Sequence, residues 1–177
     1  MQKMYYENYE ETEQDRLDEQ RYAQKRNMSV EEKKEVVARI TRESIENARK
    51  MVAASGEEML TCPAVIQACM AALVYGMLSA MVMEELGAIE LWWTRGMLTG
   101  IANVVFEMGP EQSIQLTEYI FENSSKAINP DLNRNIHLLV HYGIDLYFLL
   151  DQPKRLSEIM HGIIHSCYED FVTAKES

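Results

Sequence analysis

Little in this chain staples, punctuates or catalyses. Three cysteines in 177 residues cannot frame a disulfide scaffold. Cys62 and Cys69 are seven residues apart in one apolar run, which places them about 10 Å apart along a helix. That exceeds the roughly 7 Å between Cα atoms that a disulfide allows. Buried free thiols are the expectation, Cys167 included, and no CxxC spacing suggests a zinc site. Four prolines and eight glycines leave long uninterrupted segments. Strand signals are missing: alanine and twelve methionines dominate over β-branched runs, so the local preference is for helix.

Basic charge is also in short supply. Lys and Arg number 17 against 28 Asp and Glu, a formal net charge of −11, which argues against direct nucleic-acid binding. The first 60 residues hold 11 basic against 14 acidic side chains, and the remainder 6 against 14. The N-terminus has no apolar core and carries early acids, unlike a signal or transit peptide. A cytoplasmic location is expected. GxSxG, P-loop, dinucleotide-binding and HExxH patterns are absent, so no active site assembles from motifs.

What remains is an all-α reading: one domain, a helical bundle of about six main helices behind a polar N-terminal arm. The arm, residues 1–28, offers Tyr5, Tyr6, Tyr9 and Tyr22 as its only large apolar surfaces. It is read as mobile alone and open to ordering by a partner. Residues 29–177 form the bundle. Ser29-Val30-Glu31-Glu32 is a capping box, opening a helix to about Gly56 with Val30, Val37, Ile40, Ser44, Ala48 and Met51 on one stripe. Its basic residues alternate with acids at three- and four-residue spacing, the pattern of a solvated, salt-bridged face. Thr61 and Pro63 then start a helix that is almost wholly apolar from Ala64 to Met83. Its flanks are acidic, so the expectation is the central helix of a bundle and not a membrane span.

Residues 88–108 read as the next helix, carrying a Gly96/Gly100 GxxxG, while Ala68, Ala72, Gly76 and Ala80 form a small-residue ladder on the helix before. Close packing within the chain is preferred over dimerisation for both. Trp92 and Trp93 point about 100° apart, so one is expected in the core and the other on a partner surface. Three further helices are expected at 110–124 (stripe Ile114, Thr117, Ile120, Phe121), 130–150 and 154–174, with short links favouring antiparallel neighbours.

All four histidines fall in the last two helices as HxxxH pairs, His137/His141 and His161/His165, with Glu158 forming an ExxH with His161. Each pair shares a helix face and could chelate a transition metal. Counted around the turn at Gln152, the pairs sit at similar heights on an antiparallel hairpin. Both, however, fall opposite the apolar stripes, and a carboxylate di-iron site needs two ExxH motifs. Surface histidines are therefore the favoured reading, with no cofactor and a transition metal as the weaker possibility. Ile144 and Phe148 share the His137 side, which makes that face a second candidate contact surface.

The leading functional expectation is a non-enzymatic protein–protein interaction or scaffold module, self-associating as a homodimer or binding a protein partner. Trp92, Trp93, Ile144, Phe148, Tyr5, Tyr6 and Tyr9 are its candidate contacts. An acidic inhibitor that mimics nucleic acid against a basic partner, of the kind carried by mobile elements or phages, is the alternative. A metal-binding helical protein is the third.

Overall fold

A computed structural model describes residues 12–56, 64–124 and 136–176. Tyr5, Tyr6, Tyr9, Cys62, the Thr61–Pro63 helix start and the Asn129–Pro130 start lie outside the described residues. Those described form seven helices and no strand: α1 (Glu13–Arg26), α2 (Val30–Ser55), α3 (Ala64–Leu86), α4 (Leu91–Val104), α5 (Pro110–Ser124), α6 (Ile136–Tyr147) and α7 (Pro153–Glu176). Six belong to residues 29–177, and α1 lies in the polar arm.

Local chemistry sets the starts. The Ser29 hydroxyl accepts from the Glu32 N–H, while the Glu32 carboxylate takes the Ser29 N–H at 2.8 Å, so both halves of the capping box form. Thr12 and Asp15 do the same for α1. Helix α4 opens at Leu91, three residues later than expected. Gly87 takes φ +72°, which breaks α3, and the Glu90 carbonyl accepts the Trp93 and Thr94 N–H groups at 3.0 Å each.

The axis of the bundle is α3, packed by every other helix. It is long and apolar enough to cross a membrane, yet 83% of its most apolar window is buried inside the protein. Leu73, Met77, Leu78 and Met81 are enclosed, as are Ile40 and Met51 of α2 and Leu98 and Ile101 of α4. Two expected core residues are surface residues instead. Val30 heads α2 before that helix reaches the bundle. On α5, Ser113, Thr117, Ile120 and Asn123 face inward, so Ile114 turns out. Small polar groups suffice there because Thr99 and Thr117 share a 2.9 Å hydroxyl hydrogen bond across α4 and α5, and Ser113 donates to the Gly109 carbonyl.

The last two helices do not form the expected hairpin. Helix α6 lies along α3 and α5, whereas α7 lies against α2 and α3. The reason is a close crossing of α6 on α3. A Cβ on Gly76 would sit 1.9 Å from the Val140 carbonyl oxygen, and one on Gly143 2.0 Å from that of Leu73. Bare backbone on both helices lets their axes approach, the use of small residues that the ladder on α3 implied. The Gly96/Gly100 pair serves no such purpose: a Cβ on either meets no described atom within 4 Å.

Candidate interaction surface

The C-terminal corner of α3 gathers charge from three helices. Arg39 of α2 grips Glu85 through both guanidinium nitrogens, at 3.3 and 2.5 Å, and also reaches Glu43. Lys33 pairs with Glu90 at 2.6 Å. From α1, the Tyr22 hydroxyl donates to Glu84 at 2.7 Å, Arg21 joins the same carboxylate, and Arg26 donates to the Gly87 carbonyl at 2.9 Å. Glu84 and Glu85, the acidic flank of the apolar helix, are thus clamps between helices. The basic residues of α2 likewise do more than pair along their own helix. Such partly exposed pairs contribute little singly, about 0–1 kcal/mol each, but together they fix how α1 and α2 sit on α3.

The two tryptophans divide as expected. Trp93 is 4% exposed and its indole N–H donates to the Thr41 hydroxyl at 3.0 Å. Trp92 is 66% exposed, its N–H tied to Glu90 at 2.9 Å. Ile89 and Leu91 beside it are also more than half exposed, as is Val30, one helical turn from Lys33 on α2. The Lys33–Glu90 pair therefore lies among exposed apolar side chains, with the Trp92 ring held by the same carboxylate.

Glu90 responds electrostatically. Its carboxyl is held below its ordinary value, first by the hydrogen bond from Lys33 and then by that from Trp92. A depressed carboxylate contributes stability above its unfolded value and loses it as pH falls through the folded one. Acidification below about pH 4 should loosen the α3–α4 corner. Tryptophan fluorescence would follow this, and Glu90→Gln should flatten the acid-dependent change. An unchanged acid response in that variant would assign the titration elsewhere.

Just after α6, Phe148 is 60% exposed and rests edge-on against Tyr147, with ring centroids 5.2 Å apart. Ile144 is half-buried, its backbone beneath Gly76. Burial, then the charges of Glu85, Glu84 and Glu43, raise the Tyr147 phenol. Leu138 and Tyr142, four residues apart, form a separate exposed apolar strip on α6.

The histidines separate into two unlike pairs. His161 and His165 are exposed on α7, with His165 within 3.2 Å of Glu169. His137 is half-buried and hydrogen-bonded to the Ser124 carbonyl at 2.7 Å, and His141 stands 3.0 Å from it, Nε2 to Nε2. Among the described residues no group of three or more His, Cys, Asp or Glu side chains converges, so the four histidines and Glu158 do not make one site. An open cleft of about 600 Å³ between α3 and α5 is lined by Gln67, Phe106, Glu107, Gln115 and Tyr119 among others.

Comparison with protein-family models, with curated proteins and with solved structures found no match. The geometry therefore carries the functional argument alone. Sequence reasoning missed the inter-helix clamps, although Glu84 and Glu85 stood out as acids at the end of an apolar helix. It also missed Gly143, whose signal was a glycine on the apolar stripe of its helix.

Proposed function

We propose that this chain is a non-enzymatic helical interaction module that associates with a second copy through the corner at the start of α4. The supporting observation is Trp92, a large aromatic ring held in the open by Glu90 between exposed Ile89 and Leu91. Aromatic anchors ringed by apolar and polar groups dominate the binding energy of protein interfaces. A two-fold arrangement would place this patch against its own copy, and Phe148, exposed just after α6, is a second apolar contact candidate. Trp93 serves this role from within, fixing the first turn of α4 to Thr41 of α2.

Leu91→Asp/Trp92→Asp provides the test. Both positions lie in the first turn of α4, where an acidic side chain favours the helix, so the fold should be retained. Sedimentation across micromolar concentrations should show dimer for the natural chain and an association at least tenfold weaker for the variant. A natural chain that stays monomeric throughout removes the proposal. Salt separates this reading from the acidic-inhibitor one, which rests on the charge of −11. An apolar contact persists at high salt, whereas capture of a basic partner weakens steeply.

A further inference from the structure

His137 and His141 carry an inference of their own. A carbonyl oxygen only accepts, so the 2.7 Å contact of His137 Nδ1 with the Ser124 carbonyl puts the ring proton on Nδ1. Its Nε2 is then a bare lone pair, and it faces His141 Nε2 at 3.0 Å. The rings meet edge-on, with centroids 4.5 Å apart and planes at 74°. This is the support given to metal-ligating imidazoles elsewhere: one nitrogen donates to a backbone carbonyl, and the other is aimed and fixed. In the metal-free protein a single proton on His141 Nε2 bridges the two nitrogens. Because His141 is exposed, that proton can move to Nδ1 through water without any change in charge, and a turn of the exposed His141 ring then brings both lone pairs onto one ion.

From this geometry we infer that His137 and His141 form a bidentate site for a divalent late transition metal of tetragonal preference, Cu²⁺ or Ni²⁺. The present spacing already suits that class. Two nitrogens 3.0 Å apart, each about 2.1 Å from a metal, subtend about 90° there. That is the cis angle of square-planar and octahedral ions; a tetrahedral site would need them about 3.4 Å apart. Water fills the remaining positions on the open side. The second HxxxH pair is an internal control: its spacing is the same, but His165 is engaged by Glu169 and no backbone carbonyl is shown orienting it.

Calorimetric titration of Ni²⁺ and Cu²⁺ into the full, untagged chain tests the inference. One ion should bind per chain, with Cu²⁺ tighter than Ni²⁺ and Ni²⁺ tighter than Zn²⁺. His141→Ala should weaken binding at least tenfold, whereas His161→Ala/His165→Ala should leave it within twofold. Since His141 is exposed, His141→Ala should fold normally, and its metal-free thermal midpoint checks this. As a second readout, the Cu²⁺ electron paramagnetic spectrum should show coupling to two imidazole nitrogens, falling to one in His141→Ala. Undetectable binding at millimolar Ni²⁺, unchanged affinity in His141→Ala, or loss confined to the α7 variant would overturn the assignment.

Discussion

Replacing Gly143 with alanine should cost the fold about 3 kcal/mol or more, well beyond an ordinary one-methyl change. The added Cβ would stand 2.0 Å from the Leu73 carbonyl oxygen and 3.0 Å from the Gly76 Cα. Both obstacles are backbone, so no rotamer change relieves them. To reach van der Waals distance, α6 must lift from α3 along the whole crossing. Leu139, Val140 and Leu146, buried beside Gly143, would then lose packing together. Gly100→Ala is the matched control. Its Cβ meets no described atom within 4 Å, and alanine in an exposed helix interior is favoured by about 0.5–1 kcal/mol over glycine. The two substitutions add the same methyl group and should shift denaturant midpoints in opposite directions. Gly76→Ala/Gly143→Ala should fall short of the summed single effects, because both clashes are relieved by one displacement. A Gly143→Ala cost under 1 kcal/mol would mean that the helices do not approach this closely.

Glycine also marks how far the sequence could be read. Helix class, the capping box at Ser29 and the buried character of the apolar run, seen at residues 69–82, depend on local patterns, and the fold agrees with each. The stripe Ile136, Leu139, Gly143, Leu146 and Leu150 is buried throughout. Pairing between helices was less legible. Periodicity shows which face of a helix is apolar but not which neighbour it meets. The last two helices, expected as a hairpin from their short link, instead take different neighbours around α3. A GxxxG on α4 and a lone glycine on α6 look alike in one dimension, and only the crossing shows that the lone glycine carries the contact.

The candidate surface was half legible for a related reason. Adjacent tryptophans cannot both face one neighbour, so the split between Trp92 and Trp93 follows from helical geometry. The clamps at Glu84, Glu85 and Glu90 do not follow, since their partners stand 46 to 63 residues away. Charges at three- and four-residue spacing along α2 suggested a self-contained face. In the folded protein Arg39 does use Glu43 this way, but its second partner is on α3.

Gly87→Val should release α1 while leaving the remaining bundle folded. Gly87 sits at φ +72°, a conformation disfavoured by roughly 1–2 kcal/mol for L side chains and worse for a β-branched one. Its Cβ would also lie 2.2 Å from the Tyr22 carbonyl oxygen and 3.0 Å from the Lys25 Cβ. The bundle has an easier response here than at Gly143. Helix α1 has no buried residue and is held by Tyr22–Glu84, Arg21–Glu84 and Arg26 on the Gly87 carbonyl. Partly exposed polar ties of this kind yield about 1 kcal/mol apiece at most, so one backbone clash exceeds what docking supplies. Amide exchange should show residues 13–26 losing protection while α3 and α4 keep theirs. Gly87→Asn separates the causes: asparagine tolerates the left-handed backbone but still brings a Cβ against Tyr22, and it should also release α1. Tyr22 offers an independent check. Its phenol is raised, first by the hydrogen bond to Glu84 and then by burial. The docking that depends on the neutral phenol is therefore complete below about pH 10 and lost as pH rises through the folded value. Alkaline titration of the natural chain should release α1 on its own, and in Gly87→Val the phenol should return to its ordinary value. Equal exchange over residues 13–26 in the natural chain and Gly87→Val would show that α1 is held by something other than this corner.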